Sequence, residues 1–284
     1  MMLNRKSAEI FVPDGLASEA ALARTTHLAV GAHQDDLEVM AWDGIAACFQ
    51  HQERWFCGVV VTNGAGSPRE GPYRGYSDEA MRAVRMKEQR KAAVVGEYGA
   101  QVLLDYPSSA VKDAGEPGPA ADLREILLAT RPEVVYPHTL ADKHDTHVAV
   151  TLRLLAALRA LPADARPRRV LGCEVWRDLD WLCDADKVCL DASQHDNLQL
   201  ALLGVFDSQI CGGKRYDLAV LGRRRAQATF FESHGVDTRS GQVFALDLTP
   251  LVENPSLDPF EHVQGYVQRM SAEIRARIEQ LSRG

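Results

Sequence analysis

Two short segments concentrate the side chains that could do chemistry. One is Ala32-His33-Gln34-Asp35-Asp36-Leu37-Glu38 and the other is Asp142-Lys143-His144-Asp145-Thr146-His147. Between them they offer imidazoles from His33, His144 and His147, and carboxylates from Asp35, Asp36, Asp142 and Asp145. Two histidines and one carboxylate are a common ligand set for catalytic zinc, with a fourth position left for water. Such a metal lowers the pKa of its water to about 7, and a further carboxylate can take the proton. Adjacent Asp35 and Asp36 suit that division of labour, because one can ligate while the other faces the water. Taken singly, each segment has a plainer explanation. An Asp-Asp pair at a helix start also caps the helix and offsets its dipole, and a loop histidine is often simply solvated.

The elements around the segments decide whether they meet. Residues 26–33 (THLAVGAH) read as a short buried strand, and residues 36–50 place Trp42, Ile45, Ala46 and Phe49 at helical spacing. A strand at 55–62 is stopped by Asn63-Gly64, and a polar loop runs from Gly64 to Tyr76. A helix over 78–98 follows, with acids in its first turn and Gly99 after its end. Next come a strand at 101–106, a helix at 119–130, a strand at 133–138 and a helix at 146–161. Alternation of this kind predicts an α/β fold, a Rossmann-like and mostly parallel sheet with helices on both faces. In such sheets ligands bind beyond the carboxyl ends of the strands. Both segments follow such an end, so the fold rule brings them to one edge although roughly a hundred residues separate them. The second half reads as strands at 168–176, 186–192 and 242–248 and helices at 194–206, 215–231 and 261–281. With no repeat and no low-complexity linker, residues 1–284 are expected to form one domain whose core is 26–160.

Composition narrows the classes of function. The chain has 284 residues, 46% of them hydrophobic and 25% charged, which is ordinary for a soluble globular protein. A core of that size needs no structural metal, so a bound metal is expected to be chemical. The net charge of −7 disfavours phosphate backbones, so nucleic acid is not an expected partner. The six cysteines form no CxxC pair and read as reduced core residues. The first 25 residues hold no apolar signal core, and no run is long enough to span a bilayer, so a cytoplasmic location is expected.

The same segments carry a family resemblance. AHQDDLE resembles the AHPDDE signature of the PIG-L/LmbE-like family of zinc-dependent N-acetylglucosaminyl deacetylases, and HDTH resembles that family's HPDH. VVVTNGAGS is similar to its second strand and glycine-containing loop, and Arg85-Met86-Lys87-Glu88 to its RxxE helix. The likeness covers roughly residues 26–160, with a weaker echo in Asp207-Ser208-Gln209. It implies that His33, Asp36 and His147 are the zinc ligands and that Asp35 is the general base. It gives His144 the oxyanion or the leaving amine, and gives Arg85 a substrate contact or a bracing role. Gln34 stands where the family has proline. The acid before the family's second histidine is Thr146 here, so Asp142 or Asp145 must orient His144, or that histidine is tuned differently. The family's strand-end aspartate appears as Ser108.

Other candidates are weaker. Gly64-Ala65-Gly66-Ser67 lacks the third glycine of a dinucleotide turn and lies far from the next helix. His138, at a strand end, reads as a hydrogen-bonded surface histidine ahead of a pocket-lining one, and Trp176 and Trp181, which flank a strand, as core or interface ahead of facing substrate. Some relatives complete the site with a C-terminal histidine, for which His234 is the candidate. Val263, Val267, Met270 and Ile274 form a stripe on the last helix that suits either the sheet or a second copy in a homo-oligomer. The expected activity is Zn2+-dependent removal of an acetyl or other acyl group from a small-molecule N-acyl sugar or glycoconjugate, other divalent metals substituting. The reading from a different class is a non-catalytic metal- or nucleotide-binding module. The loops at 64–76, 107–118 and 177–184 are expected to set specificity.

Overall fold

A computed structural model describes residues 1–283. The chain opens with a short strand, β1 (Glu9–Phe11), and a helix, α1 (Ser18–Ala23). The first α/β stretch runs β2 (His27–Gly31), α2 (Asp36–Met40), α3 (Trp42–Cys48), β3 (Phe56–Thr62), α4 (Asp78–Val95) and β4 (Ala100–Tyr106). It continues through α5 (Ser108–Lys112), α6 (Gly118–Thr130), β5 (Val134–Pro137), α7 (Asp145–Arg159) and β6 (Arg169–Cys173). The remainder is β7 (Val188–Asp191), α8 (Asp196–Gly204), α9 (Asp207–Ile210), α10 (Tyr216–Phe230), β8 (Gln242–Asp247), α11 (Thr249–Glu253) and α12 (Pro259–Ser282).

The strands form one eight-stranded sheet in the order β1-β4-β3-β2-β5-β6-β8-β7. From β4 to β6 every pairing is parallel, while β1 and β8 run antiparallel to their neighbours. The mostly parallel α/β sheet expected from the alternation is therefore present. Strands β3 and β4 are buried along their whole length, as strands covered on both faces must be. Successive residues of β2 enter different cores: Leu28 and Val30 pack with Leu127 and Leu154 on one face, and Ala29 packs with Trp42 and Tyr136 on the other.

Strand order reverses at β2, which pairs with β3 on one side and β5 on the other. A reversal of this kind opens a crevice at the carboxyl edge. Here it lies between the two strands that deliver the histidine-bearing segments, with Val30 opposite Pro137 in register.

Three details depart from the sequence reading. The helix expected over 36–50 breaks at Ala41, because buried Arg224 of α10 donates to the carbonyls of Glu38 and Val39 and so ends α2. α4 stops at Val95, where Glu97 turns left-handed at φ 53°. The very short elements β1, α1, α5, α9 and α11 carry too little periodicity to be read from the chain. Among the described residues, no helix is long and apolar enough to cross a membrane.

Candidate active site

The loop after β2 is folded tightly by its own polar groups. Asp36 Oδ2 accepts a hydrogen bond from the His33 backbone N–H at 2.7 Å, closing a turn across Gln34 and Asp35. Asp35 sits at φ 98°, a region that costs a non-glycine residue about 1–3 kcal/mol unless its surroundings impose it. Those surroundings are polar and buried. The Gln89 side-chain oxygen accepts from the Asp35 N–H at 3.3 Å, and the Gln89 amide donates to Glu38 and Gln101. Arg85, also buried, donates to the Gln34 carbonyl. Gln34 in turn donates from its side chain to the Thr62 carbonyl at 3.1 Å, anchoring the position where the family has proline.

Three atoms that could ligate a metal converge here, two from this turn and one from His147 of α7. His33 Nδ1 lies 3.2 Å from His147 Nε2 and 3.3 Å from Asp36 Oδ2, and His147 Nε2 lies 3.4 Å from Asp36 Oδ2. Ligands about 2.0–2.1 Å from a tetrahedral centre stand about 3.3–3.4 Å apart, so the trio fits a small divalent transition metal. The other ring nitrogen of His147 meets Asp142 at 3.2 Å, which sets the tautomer and leaves Nε2 pointing inward. A second trio, His138, Asp142 and His147, is also close enough to hold an ion. It is the poorer candidate. The Ala32 N–H donates to His138 Nε2, and neither His138 nor Asp142 lines the cavity that His33 and Asp36 face. His138 is not a surface residue: it is fully buried and stacks on His147 at 3.8 Å.

The electrostatics separate the two adjacent aspartates. Burial would raise the Asp36 carboxyl, but the facing His147 and His138 outweigh it and hold Asp36 well below the usual range. Asp35 goes the other way. Burial pushes it up to about 6, with Arg85 at 3.4 Å opposing and Asp36 adding to the rise. Burial and then the neighbouring His147 and His33 push His144 down. No carboxylate meets its ring: of His144, Asp142 meets only the backbone N–H, and Asp145 is exposed. Asp142 thus serves His147, and neither of the two acids expected to orient His144 does so. The buried Nδ1 of His144 has no partner.

A cavity of about 480 Å³ opens over this cluster. His33, Asp35, Asp36, Arg85 and His144 line it, as do Ser108 and Thr146. His234 does not. It is exposed in the loop after α10, where its N–H meets Glu232, and this chain does not bring it to the site. Trp176 lines the cavity and stacks on His144 at 6.3 Å, the substrate-facing place that the sequence ranked below core or interface. The carboxyl-edge rule could have found it, since Trp176 follows the end of parallel β6. Tyr216, Ala219, Val220 and Arg223 of α10 also form wall, and no local pattern in the sequence marks them.

The family model described as PIG-L, GlcNAc-PI de-N-acetylase, matches residues 28–158, so the resemblance read from the two signatures holds over that segment. No curated protein matches the chain in sequence. Solved structures do match in fold. N,N'-diacetylchitobiose deacetylase from Pyrococcus horikoshii aligns at TM-score 0.56 and 17% identity, over 78% of this chain and 84% of that one. GalB, the 4-carboxy-2-hydroxymuconate hydratase from Pseudomonas putida, aligns at TM-score 0.56 and 18% identity, over 79% and 95%. The zinc-inhibited form of the teicoplanin deacetylase Orf2 aligns at TM-score 0.53 and 17% identity, over 79% and 98%. At these identities the likeness is one of fold.

Proposed function

From a chain whose residues 28–158 match the family model described as PIG-L, GlcNAc-PI de-N-acetylase, and carry variants of both of that family's signatures, we propose that the protein is a zinc-dependent amidohydrolase. It removes an acetyl or similar acyl group from an N-acylated sugar-like molecule. One observation carries the reading: His33, Asp36 and His147 converge at 3.2–3.4 Å beneath a cavity whose floor also holds Asp35.

A divalent ion held by these three residues supplies a Lewis acid and a water that ionises near neutral pH. The protein's own groups complete the reaction. Asp35, with its carboxyl pushed up to about 6, is ionised at neutral pH yet basic enough to take the proton of the attacking water. As the water oxygen bonds to the amide carbon, the uncharged His144 donates a ring N–H to the oxyanion. Asp35 then returns the proton to the amine as the C–N bond breaks, leaving a carboxylic acid and a free amine, which exchange a proton to carboxylate and ammonium in neutral water. Arg85 keeps the Asp35 carboxylate in place and braces the loop through Gln34.

A mixed nitrogen and oxygen site selects poorly among divalent metals, so zinc is the proposed occupant and others can substitute. Six free cysteines suit a reducing compartment, and we place the protein in the cytoplasm. We also read it as a homo-oligomer. α12 leaves Val267, Ile274 and Ile278 exposed, and on that helix the apolar contact with the core is made by Val263 and Tyr266.

An amine-release screen over N-acyl sugars, with one equivalent of zinc per chain, tests the activity. Release of amine and acetate in equal amounts from at least one sugar is expected. The hydratase among the fold relatives makes the contrast useful: water addition without amine release would replace the deacetylase reading.

A further inference from the structure

We propose that the substrate carries an anionic group, and that Lys112 and Lys214 at the cavity mouth recognise it. The proposal rests on the deacetylase reading for the position of the reacting amide, beside Asp35 and His144.

The charge of the cavity is opposite to that of the protein. The chain carries a net charge of −7, yet the cavity is lined by Arg85, Lys112, Lys214 and Arg223 against only Asp35 and Asp36. Both acids lie on the floor and are engaged, Asp36 with histidines and Asp35 with Arg85. The cations further out are not neutralised. Arg223 spends its one hydrogen bond on the Val175 carbonyl. Among the described residues, neither lysine has a carboxylate within 4.0 Å, although ion pairs abound elsewhere on the surface, including one at Arg215 beside Lys214. Unpaired charges of one sign in a concave site focus the field on a ligand of the other sign.

The arrangement also fixes where that ligand charge falls. The Lys214 ammonium stands 4.5 Å from the centre of the Trp176 ring, and that ring stacks on His144 at 6.3 Å. A sugar lying against Trp176 with its acyl amide at His144 therefore has an ammonium beside it. Lys112 sits one helical turn from Ser108, and both line the same cavity. Asn63, Ser67 and Ser108 offer uncharged contacts for hydroxyls. A lysine is a point charge that accepts a carboxylate or a phosphate without geometric preference, so the shared chemistry is an anion on an N-acyl sugar.

Equilibrium binding to the metal-loaded Asp35→Asn protein tests this apart from turnover, and the amine-release screen on the wild type tests the deacetylase reading separately. The probes are N-acetylglucosamine, N-acetylglucosamine 6-phosphate and N-acetylmuramic acid. At least one charged probe is expected to bind about tenfold more tightly than the neutral sugar. That preference should shrink as salt is raised and be lost when Lys112→Gln and Lys214→Gln are added. The charged probe with the larger preference identifies phosphate or carboxylate as the group recognised. Equal binding of neutral and charged probes, a preference that survives the double substitution, or no binding by any of the three overturns the proposal.

Discussion

Asp35 and Asp36 are neighbours of identical chemistry, and their surroundings alone tell them apart. Asp36 points into a cage of imidazoles and stays ionised, whereas Asp35 is lifted by burial and held by Arg85. The strained backbone of Asp35 is maintained from behind by Gln89, whose amide bonds the Asp35 N–H, Glu38 and Gln101 at once. Gln89→Leu would leave those buried groups unpaired, at about 1–3 kcal/mol each at most sites. It is expected to lower the denaturation midpoint and to reduce kcat more than KM while metal content stays at one per chain; unchanged kcat would exclude a positioning role. That imidazoles and carboxylates of the two segments meet was legible in the sequence from their types and the carboxyl-edge rule, whereas the choice of His33, Asp36 and His147 among them came from the family resemblance. Gln89 was not legible, since its role depends on a contact between α4 and the β2 loop. The α10 wall was hidden for the same reason.

At the scale of elements, the site exists because β2 and β5 are adjacent where the strand order reverses. That juxtaposition was readable from strand and helix alternation together with the carboxyl-edge rule, and strand boundaries such as 133–138 against the observed Val134–Pro137 were close. What alternation could not give is the fit between neighbouring loops. Gly64, just after β3, has φ +68°, and a Cβ there would lie 2.3 Å from Gln34 Oε1 and 3.1 Å from Arg85. Both reasons demand glycine. Gly64→Ala is expected to destabilise the fold by about 1–3 kcal/mol and to disturb the loop bearing His33. Denaturant unfolding and metal titration check it. A variant with wild-type stability and metal affinity would show that the two loops are not coupled. The break at Ala41 was likewise out of reach of local pattern, because the Arg224 that causes it arrives from α10.

At the scale of the molecule, one sheet joins the motif-bearing core to the less regular second half, and we propose that the chain unfolds as one domain. The open stripe on α12 bears on assembly. Val267, Ile274 and Ile278 recur at helical spacing and are 48%, 44% and 60% exposed, an unusual cost for a helix that serves only its own chain. Light scattering is expected to report an oligomer at micromolar concentration, and Ile274→Glu with Ile278→Glu to convert it to monomer. A monomeric wild type would reject the assembly.

The central claim is that one aspartate binds the metal and its neighbour moves the proton, and a paired measurement of metal content and turnover tests it. Asp35→Asn is expected to keep about one zinc per chain while kcat falls by about 10² to 10⁴-fold, the usual contribution of a general base, with little change in KM. Asp36→Asn, like His33→Ala and His147→Ala, is expected to lose zinc and activity together. Wild-type turnover in Asp35→Asn, or full metal retention in Asp36→Asn, His33→Ala and His147→Ala alike, would contradict the account.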